Sequence, residues 1–437
     1  MIMPDDRSDS RLELDNLKEE IGNKSFPVHS SFYLGELALF AFAGLVTTGI
    51  FLAFYYEPST RTVTYQGRSL PAAFASILRI NKLTLGLVAR RIHHWSAHIM
   101  IATLLAHMAR VYFTGAYKKP RDINWVVGYL LLLLTVMAAF VGYLLPFDEF
   151  AVTATGIGYK IVSSIPWIGN QIANLAFAGQ FPNNFLVPRF YGWHIMLLPL
   201  LLAGLIGLHL IILFKLKHTQ HREVTQQLRE QANETRKGIV GLPLWPEQTL
   251  NMVVVFMAYA AGVSLLAAFV PVHPVEAFGP PTAGTPAIKP DWYLLWVFGI
   301  LRLIPSIEFT ILGGHITSEF IGGILIPGII VVLMLLVPFI DEWWTGDVPE
   351  NPTYEYTDNL TDRPGRTGIG VGAVIFFIMT SAAGYSNELG VGNGLMAILT
   401  IVFTIGGGLV IYLLARQLGD HSEQSIVSSV ISRRGDD

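Results

Sequence analysis

Four histidines set in two apolar stretches point to redox or metal chemistry inside a membrane. Residues 90–121 read RRIHHWSAHIMIATLLAHMARVYFTGAYKKPR, with histidines at 93, 94, 98 and 107. Ionisable rings are costly in hydrocarbon, so such a segment marks a functional position. His93 and His107 are 14 positions apart, which on a helix places them about 40° from each other and roughly 21 Å apart along the axis. Residues 189–214 (RFYGWHIMLLPLLLAGLIGLHLIILF) repeat the arrangement with His194 and His209. Two helices that each carry one histidine near each end can build two stacked bis-histidine sites, and haem in a helical bundle is the simplest filling for them.

Glycines recur at the same interval. Gly35 and Gly49 are 14 apart in the first apolar segment, and Gly128 and Gly142 are 14 apart in the third. Each glycine would let a flat macrocycle lie against bare backbone at the level of a ligand. Glycine also serves close helix packing in membranes, but two pairs at the ligand spacing favour the haem reading.

Composition supplies the frame. The 437 residues are 52% hydrophobic and 14% charged, which reads as an all-α polytopic membrane protein. The net charge of −3 argues against a nucleic-acid partner. With no cysteine, the chain supplies no disulfide, iron–sulfur ligand or thioether haem attachment. The charged first 30 residues lack the apolar core of a signal peptide. Within this polar arm (1–31), LDNLKEEI reads either as an amphipathic helix on the membrane surface or as a tail without a task.

The spans expected are 34–56, a second through the histidines of 90–121, then 123–145, 189–214, 250–270, 320–339, 368–385 and 394–415. Segment 155–180 is too broken by Pro166 and Gly169 to cross and reads as short surface helices. The apolar core of KPDWYLLWVFGILRLIP, residues 289–305, is also short and reads as an interfacial helix. Lys118, Lys119 and Arg121, with the basic residues of 215–240, put positive charge on one side, so both termini are expected in the cytoplasm of a prokaryotic plasma membrane. The acidic loop 340–367 on that same side is a mild violation of the rule. The expected division is a four-helix dihaem-binding domain (32–220), a cytoplasmic linker (221–249), a second four-helix domain (250–418) and a polar tail (419–437).

In order along the chain, RIHHWSAH, HMARVYFTGAYKKPRD, GYLLPFDE, PRFYGWH and PDWY resemble cytochrome b of the quinol:cytochrome c and quinol:plastocyanin oxidoreductase complexes. The resemblance covers about residues 30–345 and is similar to the chloroplast-type and Gram-positive branch, with the subunit IV-like half continuous with the first. It implies a dihaem cytochrome b subunit with two non-covalent b-type haems. His93 and His194 would ligate the outer haem iron, and His107 and His209 the inner. Arg90 and Arg110 match arginines that pair with haem propionates. Tyr143 and the loop Pro146, Phe147, Asp148 and Glu149 would border an outer quinol pocket. Pro290, Asp291, Trp292 and Tyr293 would face them, with Asp291 in the place of the glutamate that takes a proton from quinol.

Elementary chemistry supports that role, since quinol oxidation releases protons and a half-buried carboxylate can accept one. The plainer reading of Asp291 is an N-cap, because Pro290-Asp291 opens a helix. The resemblance further implies an inner quinone site, a Rieske-type iron–sulfur partner, a cytochrome c or c-like partner, surrounding lipid and a homodimeric complex. Aspartate in PDWY resembles the branch that often uses menaquinol.

The pattern also departs from the family. Phe147 stands where Trp is usual, and Glu149 where Gln or Gly is commoner. Phe214 occupies the place of an inner-site histidine, leaving Lys215, Lys217 and His218 as the nearby candidates. Leu34 replaces the cysteine that would hold a third haem. His194 and His209 are 15 apart, where the other pair is 14 apart. His94 and His98, four apart, could bind metal but read more simply as interfacial histidines that contact loops. Two other classes account for the histidines: a dihaem anchor of another reductase complex, and a transporter relaying protons. The anchor leaves PFDE and PDWY idle; the transporter gives no reason for matched glycines.

Overall fold

The computed structural model describes residues 25–27, 29–232, 241–272, 278–282, 288–346 and 356–434. Within them apolar runs of membrane length become helices: α1 (Tyr33–Ala53), α4 (Asp122–Leu144), α7 (Leu186–Leu216), α9 (Thr249–Phe269), α11 (Ser318–Leu335), α13 (Pro364–Ala383) and α14 (Asn393–Arg434). Among the described residues these seven are long and apolar enough to cross a membrane. An eighth, α3 (Gly86–Phe113), carries the histidines and meets the same test only together with α2 (Ala72–Lys82), from which it turns by 109°. The chain is a multi-pass helical membrane protein, and among the described residues these helices start within a few residues of the positions expected from hydropathy, although α14 runs on well past the expected end at 415. Little of their apolar surface is buried inside the protein, as lipid-facing helices require.

The bundle that matters for the histidines is α1, α3, α4 and α7. Helix α1 packs along α3, and α4 along α7. Pro146 stops α4, and Asp148 then starts α5 (Glu149–Ser163) by accepting the Ala151 amide at 2.8 Å. With α6 (Gly169–Ala176) this gives the short helices expected for 155–180, although α5 begins earlier than the hydropathy suggested. Helix α10 (Trp292–Leu303) is the expected short helix at PDWY.

Several small elements escape hydropathy. Hairpins β2–β3 (Thr62–Tyr65, Arg68–Pro71) and β5–β6 (Glu308–Ile311, Gly314–Thr317) close loops, and β1 (Ser25–Pro27) pairs antiparallel with β4 (Gly241–Pro243). The stretch expected as a plain linker therefore contains a strand, and also the charged helix α8 (Arg222–Ala232). The LDNLKEEI segment lies outside the described residues.

Helix α12 (Val337–Thr345) leads into the acidic loop, two of whose described acids meet basic partners. Asp358 accepts from Lys118 at 2.6 Å and from Arg366 at 2.8 Å, and Glu342 from Lys119 at 2.6 Å. Two acids of this loop, Glu342 and Asp358, are thus paired with basic residues, Lys118 and Lys119 of the rim and Arg366.

Candidate functional site

The two histidine helices meet where the spacing predicted. The rings of His93 on α3 and His194 on α7 have centres 6.0 Å apart. Two imidazoles on one metal, each with a bond of about 2.0 Å and a ring nitrogen about 1.1 Å from its centre, would stand about 6.2 Å apart. The Nδ1 atoms are already engaged. Thr48 gives its own hydroxyl proton to the Gly44 carbonyl at 2.6 Å, so its oxygen accepts from His93 Nδ1 at 3.0 Å. His194 Nδ1 donates to the Ala138 carbonyl at 3.0 Å. Both hydrogen bonds fix the tautomer that leaves Nε2 bare, the form a ligand to iron must take. His107 and His209 form the second pair, within electrostatic reach of each other; among the described residues the buried His107 Nδ1 has no hydrogen-bond partner, while His209 lies against the Asn124 backbone.

All four glycines face these rings. A Cβ built on Gly142 would meet His194 Cε1 at 2.5 Å; on Gly49, His93 Cε1 at 3.2 Å; on Gly128, His209 Cε1 at 3.3 Å; on Gly35, His107 Cε1 at 3.4 Å. Bare backbone thus lies against the imidazole edge. The glycine of the supporting helix is what lets each histidine seat.

The odd spacing on α7 has a structural answer. Residues 193–197 form one π-helical turn, closed by the Leu198 amide on the Trp193 carbonyl, just before Pro199. A π turn absorbs one extra residue, so His194 and His209, 15 apart, present themselves as a pair 14 apart would in a regular helix.

Buried Arg90 donates from Nε to Asn81 at 2.8 Å, and Arg110 stacks 4.1 Å over the Phe32 ring with its Nε unpartnered. On the far side from PDWY, His218 turns inward, its ring centre 5.3 Å from Phe26 and 5.7 Å from Phe32. His29 stacks on His221 at 5.2 Å beside it. Lys215 and Lys217 are exposed, so of the three inner-site candidates only His218 is drawn in.

At the other end, PFDE and PDWY converge. The Glu149 amide donates to the Gly279 carbonyl at 3.1 Å, and Thr282 donates to the Glu149 carboxylate at 2.7 Å. Pro146 is buried, and Phe147 adopts φ +50°, a strained left-handed conformation that turns the loop. Asp148 is fully buried; desolvation, only partly offset by its cap to Ala151, pushes its carboxyl up to about 7. Asp291 stands at the backbone N-cap of α10, yet its side chain makes no cap bond. Instead Tyr293 donates its hydroxyl to Asp291 Oδ2 at 3.1 Å. The side-chain capping role is therefore not realised, and the carboxylate lies within electrostatic reach of Tyr143 and His98 as well as bonded to Tyr293. Burial and the neighbouring Asp291 charge raise the Tyr293 phenol well above its ordinary value, so it stays a donor.

Sequence reasoning missed His98 as part of this cluster. Trp292 Nε1 donates to His98 Nδ1 at 3.0 Å, and His98 Nε2 lies 3.0 Å from His94 Nε2. The four-residue spacing of the two histidines was visible; the helix they would meet was not. Thr48 and Ala138 gave no signal in the sequence.

These features, two facing histidine pairs in a membrane bundle with a carboxylate cluster at one end, define a haem-carrying membrane electron carrier. The family models agree: cytochrome b(N-terminal)/b6/petB matches residues 98–280, and cytochrome b(C-terminal)/b6/petD residues 280–353. The cytochrome bc1 complex cytochrome b subunit of Streptomyces coelicolor is 35% identical over 87% of this chain and 70% of its own length. Its counterpart in Mycobacterium leprae is 34% identical over 83% and 65% respectively. This chain thus spans about two thirds of those relatives. A solved hyperthermophilic respiratory Complex III chain has the same fold, with a TM-score of 0.69, 23% identity and coverage of 94% and 98%. The chain belongs to the cytochrome b family. Within it, it is of the bc1 type, a cytochrome b subunit of an electron-transport oxidoreductase with both halves in one chain. The dihaem-anchor alternative finds no support in these relatives.

Proposed function

We propose that this subunit holds two b-type haems, oxidises quinol in the pocket between PFDE and PDWY, and delivers electrons to a quinone site on the opposite side. The observation that carries the haem assignment is the facing of His93 and His194 at 6.0 Å with both Nδ1 atoms occupied. His93 and His194 would hold one haem, His107 and His209 the other, with Arg90 and Arg110 positioned for the propionates. When bound, the haems supply one-electron carriage between the two pockets.

The remaining work falls to the protein. Tyr143, Phe147 and Trp292 shape the quinol pocket, and Glu149 is held by Thr282 at its edge. Asp291 accepts a proton from the quinol hydroxyl, while Tyr293 keeps its carboxylate turned away from the helix end. One electron of each quinol leaves to a Rieske-type iron–sulfur protein, which a cysteine-free chain needs as a partner, and onward to a cytochrome c-like protein, while the other crosses to the inner site. On the inner side His218 is the candidate for contact with quinone. Placing the quinol pocket outside, the basic rim and both termini in the cytoplasm, and the domain limits at 32–220 and 250–418 makes the circuit proton-translocating. Menaquinol as donor and a homodimeric complex complete the reading.

The test is a pyridine haemochrome assay on the purified chain and on His107→Ala. Two non-covalent haems per chain, falling toward one in the variant, are expected. A wild-type chain without haem overturns the assignment.

A further inference from the structure

Quinol oxidation releases two protons, and the pocket just described offers Asp291 for one. We propose that His98 is a second proton-accepting group of this pocket, taking a proton on Nδ1 in exchange for the Trp292 indole. The inference rests on the quinol-pocket reading above and deepens it.

The tautomer of His98 follows from its partners. An indole N–H can only donate, so His98 Nδ1, 3.0 Å from Trp292 Nε1, is unprotonated. The neutral ring then carries its proton on Nε2 and donates it to His94 Nε2 at 3.0 Å. One basic nitrogen is thus left, aimed at the head of α10 and occupied by a displaceable donor. Trp292 is 44% exposed, so the indole has room to leave the histidine. The His98 ring stands edge-on to Tyr293 with centres 6.0 Å apart, and Tyr293 holds the Asp291 carboxylate. Asp291 is within electrostatic reach of His98.

Titratable groups facing the ring are His94 on its own helix and Asp291 and Tyr293 on α10. Helix α9, packed along the same stretch of α3, meets neighbouring Arg91 and Trp95 with the Ala267 and Val270 carbonyls. The proton balance is simple. The quinol gives up two electrons to the acceptors named above and two protons, one to the Asp291 carboxylate and one to His98 Nδ1. The Trp292–His98 hydrogen bond breaks as the new N–H forms. The imidazolium later loses this proton to water, and the indole returns.

The experiment uses the assembled complex with 2,3-dimethyl-1,4-naphthoquinol as donor, comparing wild type, His98→Gln and Trp292→Phe across pH. Glutamine can still accept from the indole but cannot titrate, so His98→Gln should keep KM within about twofold while kcat falls roughly 100-fold, as loss of a positioned base does. The acid limb of its kcat profile should lose the contribution of the imidazole and keep only that of Asp291. Trp292→Phe removes the competitor for Nδ1 and should move the acid limb to higher pH. A His98→Gln complex with wild-type kcat and an intact acid limb overturns the proposal, as does a change confined to KM. If the wild-type complex does not oxidise the quinol at all, the pocket reading itself fails and the proposal falls with it.

Discussion

Two aspartates at helix starts show how residue type and place part company. Asp148 does what its type favours, capping α5 through the Ala151 amide, and because it is fully buried its carboxyl rises from 3.8 to about 7. A raised carboxyl means the folded chain binds more protons than the unfolded one between those values, so stability falls as pH climbs through that window. Asp148→Asn keeps the cap and removes the titration. Its thermal midpoint, followed from pH 4 to pH 7, should therefore lose part of the wild-type decline; an unchanged slope would mean Asp148 is not the group responsible. Asp291, at an equivalent backbone position, leaves its helix uncapped and pairs with Tyr293. The glycines extend the lesson. Gly142→Ala would drive a methyl to 2.5 Å from His194, whereas a Cβ on Gly204 has no neighbour within 4 Å. Haem per chain should fall toward one in Gly142→Ala and stay at two in Gly204→Ala, with Gly35→Ala, at 3.4 Å, losing least of the ligand-facing four.

At the scale of the element, α7 is decided by a single turn. Fifteen positions of regular helix would set His209 about 60° to one side of His194, where fourteen set it about 40° to the other, a rotation of about 100°, and the π turn at 193–197 removes that excess. Pro199 favours the wide turn because it has no amide to close a regular one. Deleting Met196, which is 62% exposed, should let the turn become regular with the histidines still in phase. Both haem bands should survive in a reduced-minus-oxidised spectrum. Inserting one alanine after Leu205 leaves the π turn in place and should cost one haem; retention of both would show that α7 can shift its irregularity elsewhere. Arg121 secures the other end of the helix by donating to the Leu216 and Lys217 carbonyls at 3.2 Å each, as a cation at a helix C-terminus should.

Across the whole molecule, the two halves are tied by polar contacts that lie far apart in sequence. Trp125 on α4 donates to the Met334 carbonyl on α11 at 2.9 Å. Asp358 links Lys118, at the end of the haem-side helices, to Arg366 on α13. Burial alone would raise the Asp358 carboxyl, but the Lys118 hydrogen bond and the charges of Lys118 and Arg366 outweigh it and hold it below the usual range. This depressed carboxyl contributes stability that is present above the unfolded value and lost as pH falls through the folded one. Arg366 is only 4% exposed, so Asp358→Asn strands a buried charge and should cost about 3 kcal/mol. The drop should appear in thermal unfolding at neutral pH and shrink in acid. Lys119–Glu342 is more open, at 46% and 26% exposure, and its loss should be nearly silent.

The spans, the short helices after PFDE and at PDWY, and the existence of two stacked histidine levels were legible in the sequence, whereas the pairing of His93 with His194 and of His107 with His209 came from the family resemblance. Each rests on a period or a length, 14 residues between ligands or about 20 to cross a bilayer, and such quantities are written in the order of residues. What order could not supply was which partner a side chain finds when several chemically suitable groups compete. Only the tertiary structure showed that Asp291 accepts from Tyr293 instead of capping, that His98 receives the Trp292 indole, and that His218 turns in while Lys215 and Lys217 face out. The same holds for the hairpins, the β1–β4 ladder and the pairing of the acidic loop with the YKKPR rim. These contacts join residues up to 240 positions apart, and local pattern carries no information about which distant groups the packing of the helices will bring within 3 Å.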